Sequence, residues 1–446
     1  MKEQCRSGGP SHCMRILVLS VNYWPEATGI GALCTRRCEY LASRGHQVTV
    51  CTTFPYYPEW RVAEEYRNQI WSREIQNHVV VLRSWAWIPK RPNSIKRIVF
   101  EASFLACNAI RAAYAAKPDL LIAVSPPLGL AVTAGLLSRR WNVPYVYDVM
   151  DLQPDAAIDL GMLKPGMATR ALYSLERMAY EKAALISTLT EGMRDRIISK
   201  PVPSGKVTLF PAPADRDLFL VQRNTEGKSF RSVHGLTGSF LIVHSGNIGV
   251  KQGLDVVLGA AELSRDHPDI VFLLVGDGAM RSHLEASAKA RKLSNVRFLP
   301  VQSQQQFPQL LAAADVALIT QQRSVANILF PSKTVSLMAA GCPIIASVNK
   351  QSEVARVVEE SGAGIVIEPE DPASLFQTVA SLKEHRELTM MSEAGRRYAR
   401  TYWDEDLTFP RMEAELMKIA NKVETSSSSD VSLNSVRVQS QAVVPE

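Results

Sequence analysis

Short apolar runs alternate with segments of helical spacing along nearly the whole chain, and they do so in two series. The first series is Ile16–Ser20, Val48–Thr53, Val79–Leu82, Asp119–Val124, Pro144–Tyr147 and Ala184–Thr188. The second is Phe240–Val243, Val271–Val275, Val296–Leu299, Val316–Ile319, Pro343–Ser347 and Gly364–Ile367. Runs this short and this apolar are buried on both faces, which is the signature of parallel strands covered by helices. Consecutive strands become parallel only through a crossover, and the intervening segments are long enough to supply one. Two series therefore predict two α/β domains, each with a doubly wound parallel sheet. A length of 446 residues suits two such cores better than one.

The boundaries follow from composition. Pro201–Asp217 carries prolines around the segment Lys206–Phe210 and reads as the crossing between domains. The first domain is expected over 14–205 and the second over 212–403, with a last helix at 404–422 packing back on the first. Residues 1–13 are polar, lack an apolar targeting core and read as a flexible leader, and the Ser-rich stretch 423–446 reads as a disordered tail. In the first domain a helix is expected over about Ala32–Arg44, burying Leu33, Cys34, Cys38 and Leu41 and stopped by Gly45. Leu120–Leu137 is the most apolar long stretch, but Pro126 and Pro127 divide it into strand, turn and helix, so it does not read as a membrane span.

A net charge of +6 is mild for this length and fits anionic small molecules or lipid headgroups. No stripe of Arg and Lys interleaved with aromatics appears, which argues against nucleic acid. The seven cysteines form no CxxC pair, and Cys34 and Cys38 lack partners for a zinc set, so all read as buried thiols in a reducing compartment.

Ligands of open parallel sheets bind at the carboxyl ends of the strands. One such end stands out. In FLIVHSGNIGVKQGLD (Phe240–Asp255) an apolar run is followed by Gly246, Asn247, Gly249, Lys251 and Gly253, then by helical spacing. Glycines allow close backbone approach, while free N–H groups and a helix N-terminus favour an anion, so this is a candidate diphosphate cradle. The same residues also fit an ordinary strand–turn–helix joint. His244 reads as a structural residue at the strand end. A second stretch joins Trp85, Trp87 and Ile88 to Lys90, Arg91, Lys96 and Arg97 ahead of a long apolar helix. It fits an interfacial surface against anionic lipid, or a packed helix behind a solvated basic loop.

Taken together, the loop TGIG, the segment FPAPADRDLF, the turn SGNIGVKQGLD, and VGDGAMRSHLE, LLAAADVALI and SLMAAGCPIIAS resemble, in order and spacing, the retaining family 4 (group 1) glycosyltransferases of GT-B fold. The likeness spans about Met14 to Lys422. NYWPEATGIG, PYYPEW, PKRPNSIKR and LFPSK are similar to a branch that includes the colanic-acid fucosyltransferase and the N-acetylfucosamine transferases of O-antigen assembly. The resemblance implies two Rossmann-like domains facing across a cleft, the first for an acceptor and the second for a nucleotide diphosphate sugar as co-substrate. It implies a GDP-fucose or UDP-N-acetylfucosamine-like donor and a polyprenyl-diphosphate-linked saccharide acceptor. It also implies a cytoplasmic place at the inner face of the membrane, in exopolysaccharide, O-antigen or capsule synthesis.

The family pattern is not fully kept. Asn247 and Gln252 stand where the family usually has Arg and Lys, and Ile328 and Ser336 stand where it has two glutamates. Pro331, Ser332 and Lys333 lie nearby. The expected donor side is Gly29, Gly31, Gly246, Asn247, Gly249, Gly253, Asp277, Gly278 and Ser332, with Lys251 and Lys333 sharing the charge of the departing diphosphate. With lysines in that role no metal cofactor is expected. Asp148 and Asp151 in DVMD have the wrong spacing for a metal pair and are read as loop-capping residues, with Asp151 also a candidate to orient or deprotonate the acceptor hydroxyl. Glu26, Tyr57 and Trp85 are the acceptor-side candidates. Two other readings remain open: a nucleotide-sugar 2-epimerase of the same fold, and a catalytically silent partner that kept the fold without the glutamates.

Overall fold

The structure is a computed structural model that describes residues 13–421 except 27–28, 92, 154, 156–157, 159–165, 224, 326–329 and 385–386. Most of the expected leader, the expected tail and Ile328 lie outside the described residues. Contacts divide the chain into two units. One holds residues up to 189, 193–210 and those from 409 onward, and the other holds 190–192 and 211–408.

The first unit is built on an eight-stranded sheet. Its strands are β1 (Arg15–Leu19), β2 (Gln47–Thr53), β3 (Trp71–Gln76), β4 (Val79–Ser84), β5 (Leu120–Ser125), β6 (Tyr145–Val149), β7 (Leu185–Thr188) and β8 (Val207–Leu209). Their order is β3-β4-β2-β1-β5-β6-β7-β8. All neighbours are parallel except β3 and β4, which form an antiparallel hairpin pairing Trp71 with Ser84 and Gln76 with Val79. The purely parallel sheet expected from the apolar runs therefore gains an antiparallel edge. Its turn is Asn77–His78, both with positive φ (45° and 67°), the handedness that two-residue hairpins favour. The segment WSREIQ escaped notice because, as an edge strand, it leaves alternate residues exposed and carries no apolar run. The crossing also differs from expectation: Val207–Leu209 is a strand of the first sheet, paired with Ile186–Thr188.

The core of this unit gathers Ile16, Val18, Val50, Val81 and Val124 from the strands and Cys34, Cys38 and Leu41 from the helix Gly29–Ser43. Phe409, Met412, Leu416 and Ala420, on one face of the helical residues 405–421, complete it. Cys34, Cys38, Cys51 and Cys342 are buried, but Cys13 is exposed, contrary to the reading of all thiols as buried, and Cys5 lies outside the described residues.

The second unit is built on six parallel strands: β9 (Phe240–Ser245), β10 (Ile270–Val275), β11 (Val296–Leu299), β12 (Val316–Thr320), β13 (Ile344–Ser347) and β14 (Gly364–Ile367). Their order is β11-β10-β9-β12-β13-β14. Counted within the unit this is the 3-2-1-4-5-6 order of dinucleotide-binding sheets, whose direction of winding reverses between the first and fourth strands. Here that reversal lies between β9 and β12, which pair Ile242 with Val316 and Val243 with Ala317. In the first unit it lies between β1 and β5. At a reversal the two flanking loops diverge to opposite faces and leave a crevice at the carboxyl ends of the strands. Each unit thus has one place predisposed to hold a ligand.

Candidate functional site

In the second unit the crevice is framed by the loop after β9 and the segment after β12. The β9 strand runs two residues further than its apolar run suggests, so His244 and Ser245 belong to it. His244 is buried, and its Nδ1 lies 3.3 Å from Lys333 Nζ. Lys333 opens the short helix Lys333–Ala339, so this contact bridges the two sides of the reversal. Burial pushes the lysine down to about 7. Burial, and then the lysine's charge, hold His244 well below its ordinary range. A neutral imidazole can accept from the ammonium through Nδ1, while Nε2 lies 3.4 Å from the Asn247 carbonyl. The histidine is therefore a support that fixes Lys333 against the glycine turn. That role was not legible in the sequence, because 89 residues separate the pair.

The glycine turn is locked onto the turn that follows β10. Gly246 N–H donates to the Val275 carbonyl, Ile248 N–H to the Asp277 carbonyl, and Met280 N–H to the Ile248 carbonyl. Gly276 and Gly278 are what permit this approach. A Cβ at Gly276 would fall 1.8 Å from the Gly246 oxygen, and one at Gly278 would fall 2.4 Å from the Ile248 oxygen. Asp277 is exposed and caps its own turn by accepting the Gly278 N–H at 2.8 Å.

The turn differs from a helix-opening cradle in one respect. Gly249 is followed by a 3₁₀ turn, Val250–Gln252, and by Gly253 in the left-handed region (φ 58°) before the helix Asp255–Leu263 begins. Gly249 N–H is taken by Gln252 Oε1 at 3.2 Å, and the helix carries the Asp255 carboxylate in its first turn. The helix therefore does not open directly on the glycine turn, and its first residue, Asp255, lies with its carboxylate 3.5 Å from His283 Nε2. Positive charge near the turn has to come from side chains. Lys251 is exposed on the 3₁₀ turn, Ser332 is exposed beside Lys333, and Lys333 is partly buried. Ser336 lies within the helix that Lys333 opens.

In the first unit a cavity of about 240 Å³ occupies the other crevice. Asn22 and Gly29 reach it from the β1 side, Pro126 and Pro127 from β5, Tyr57 from the loop after β2, and Glu101 from the helix Ser94–Ala113. Two sequence candidates are there, Gly29 and Tyr57. Three are not. Glu26 is buried beneath the wall, where Oε1 accepts the N–H groups of Tyr56 and Tyr57 (3.0 Å each) and Oε2 accepts from Asn22 (2.6 Å). These bonds shape the loop that carries Tyr57, and Gly31 is small because Glu26 packs 3.1 Å from where its Cβ would be. Trp85 is 44% exposed, outside the lining. Asp151 is exposed at the bend after β6, also outside the lining. Asp148 is not a loop cap. It lies inside β6, paired with Arg37 at 2.6 Å and bonded by Ser187 at 2.8 Å. Glu101 is the lining carboxylate that the sequence reading passed over; a lone acid within the apolar helix IVFEASFLACNAIRAA was the available signal.

Outside the cavity, Trp85, Trp87, Ile95, Ile98 and Val99 are exposed beside exposed Lys90, Arg91 and Lys96. Among the described residues no helix is long and apolar enough to cross a membrane.

Comparison with known proteins decides the family. Residues 28–213 match the family description "Glycosyl transferase 4-like domain", and residues 228–398 match "Glycosyl transferases group 1". WcaI of Escherichia coli (strain K12), whose name assigns it to colanic acid biosynthesis as a glycosyl transferase, is 32% identical over 88% of this chain and 97% of its own. The chain belongs to the family 4, group 1 glycosyltransferases. Solved structures agree on the fold of this glycosyltransferase. Sucrose-phosphate synthase from Thermosynechococcus elongatus superposes with a TM-score of 0.69 at 17% identity, covering 91% of this chain and 98% of that one. Anabaena HepE in complex with UDP gives 0.64 at 17% identity over 93% and 100%. The glycosyltransferase therefore has the GT-B fold, with two Rossmann-like α/β domains.

Proposed function

We infer that this glycosyltransferase moves a sugar, with retention, from a nucleotide diphosphate sugar bound at the second unit to a lipid-linked saccharide received by the first. The observation that carries the donor reading is Lys333 held by His244 at the winding reversal of the second sheet, 3.3 Å apart. As the bond from the sugar to the diphosphate breaks, its electron pair leaves with the phosphate oxygen. A fixed ammonium in a partly dehydrated site stabilises that oxygen without reorganising. The structure of HepE with UDP supports the nucleotide diphosphate, and the likeness to WcaI, named for colanic acid biosynthesis, supports exopolysaccharide synthesis. GDP-fucose and UDP-N-acetylfucosamine are the donors to try first. The exposed tryptophans and isoleucines beside Lys90, Arg91 and Lys96 support peripheral attachment to an anionic inner membrane face, where a polyprenyl-linked acceptor resides.

The test is a panel of GDP-, UDP- and dTDP-sugars incubated with the enzyme, with and without a bacterial lipid extract containing polyprenyl-diphosphate-linked saccharides. Transfer to lipid with one donor is the expected result. Conversion of a donor in the absence of acceptor would indicate an epimerase, and no turnover with any donor would indicate a silent protein. A second expectation concerns the glycine turns. Gly278→Ala forces the two turns apart, because φ is +155° and the new Cβ meets the Ile248 oxygen. The melting shift produced by UDP or GDP is expected to vanish in this variant, and an unchanged shift would show that the turn does not hold the nucleotide.

A further inference from the structure

The first-unit cavity combines two surfaces that a hydroxylated ring needs. One is aromatic: Tyr56, Trp60 and Phe100 pack with ring centroids 5.0–5.8 Å apart, and Trp60 and Phe100 both line the cavity. The other is polar and planar. Gln153 accepts the Leu128 N–H on its carbonyl oxygen at 2.7 Å, which leaves its NH₂ to donate to the Glu101 carboxylate. Arg97, one turn earlier on the same helix, lies over the Trp60 ring at 5.8 Å.

We propose that this cavity binds one neutral pyranose, with a C–H face of the ring against the aromatic wall and a ring hydroxyl donating to Glu101. The proposal rests on the reading of the first unit as the acceptor side and names the group that grips the acceptor sugar. A sugar ring has both apolar C–H patches and hydroxyl donors, which matches such a wall opposite a carboxylate. A volume of about 240 Å³ has room for a single ring. Asp151, the carboxylate favoured by sequence, is outside the lining.

The charge of Glu101 gives the proposal a signature. Burial raises its proton affinity above the ordinary carboxylate range, with Arg97 and Gln153 pulling the other way. The other titratable groups near it are Tyr56, held protonated by burial, and Glu26, which is bonded to backbone behind Tyr56. An ionised Glu101 accepts two hydroxyls and a protonated one accepts fewer, so binding is expected to weaken as pH falls through its raised range.

The experiment is saturation-transfer NMR on the full chain with methyl glycosides of glucose, galactose, mannose, fucose and N-acetylglucosamine. At least one is expected to bind saturably in the millimolar range. Its affinity is expected to fall about tenfold or more in Glu101→Ala. In Glu101→Gln it is expected to fall less and to lose its pH dependence. Melting shifts with UDP and GDP report the second unit separately. If nucleotides stabilise the wild type but no glycoside binds up to tens of millimolar, or if Glu101→Ala binds within twofold of wild type, the proposal is wrong. If nucleotides do not stabilise the wild type, it is the donor reading that fails.

Discussion

Lys333→Met is expected to lower kcat/KM by about 10²–10³-fold, equivalent to roughly 3–4 kcal/mol of lost transition-state stabilisation, and yet to raise the melting temperature. Both effects come from one cause. The lysine is held in a dehydrated place that pushes it down to about 7 from an ordinary 10.5. Desolvation favours the neutral form, so between those two values the unfolded chain binds more protons than the folded one. Stability therefore rises with pH across that window, and the charged lysine is a cost to folding below it. Methionine of similar length removes that cost and the pH slope with it. It strands no buried charge, since His244 is already neutral, and the loss of one donor to His244 Nδ1 is smaller than the relief of the buried charge. A function that opposes stability at one residue is what a site kept for an absent anion produces. Assays of turnover and melting at pH 7 and pH 9 check this. Lys333→Met with wild-type turnover would remove the lysine from the chemistry, whatever its melting temperature.

The second large effect is structural. Arg37→Ala is expected to destabilise the first unit by about 3–5 kcal/mol, because it leaves the buried Asp148 without a counter-charge. Arg37 comes from the helix Gly29–Ser43 and pairs with Asp148 of β6 at 2.6 Å, with the two side chains 7% and 5% exposed. Its other arm donates to the Phe210 carbonyl just past β8. One guanidinium thus ties a helix to two strands. Asp148→Asn in the Arg37→Ala background is expected to recover part of the loss, since the stranded charge is then gone. Urea unfolding followed by circular dichroism measures both. A loss below about 1 kcal/mol for Arg37→Ala, the size of an exposed pair, would contradict the account.

The residues that were legible and those that were not differ physically. β1, β9 and β10 were readable because strands buried on both faces have no polar alternation to confuse them. β3 was not, because an edge strand is half solvent-facing, and neither was β8, whose three residues are only partly buried. The close approach of backbones at the glycine turn was readable because its cause is local, glycines where no Cβ fits. His244 as the support of Lys333, Arg37 as the partner of Asp148, and Gln153 beside Glu101 depend on chain segments 89, 111 and 52 residues apart. Only the sheet order brings them together. Asp148 and Asp151 illustrate the point, since two acids in one loop motif separate into a buried structural ion and a surface group.

On the proposed mechanism Lys333 meets the diphosphate of the donor at the winding reversal of the second sheet. Titration calorimetry of UDP and GDP at pH 8, in two buffers of different ionisation enthalpy, tests it directly. A lysine near 7 is mostly neutral there and becomes charged beside a phosphate. Uptake of about one proton per nucleotide bound is expected in the wild type and none in Lys333→Met, with much weaker binding in the variant. Tight binding of either diphosphate without proton uptake, or equal affinity in Lys333→Met, would contradict it.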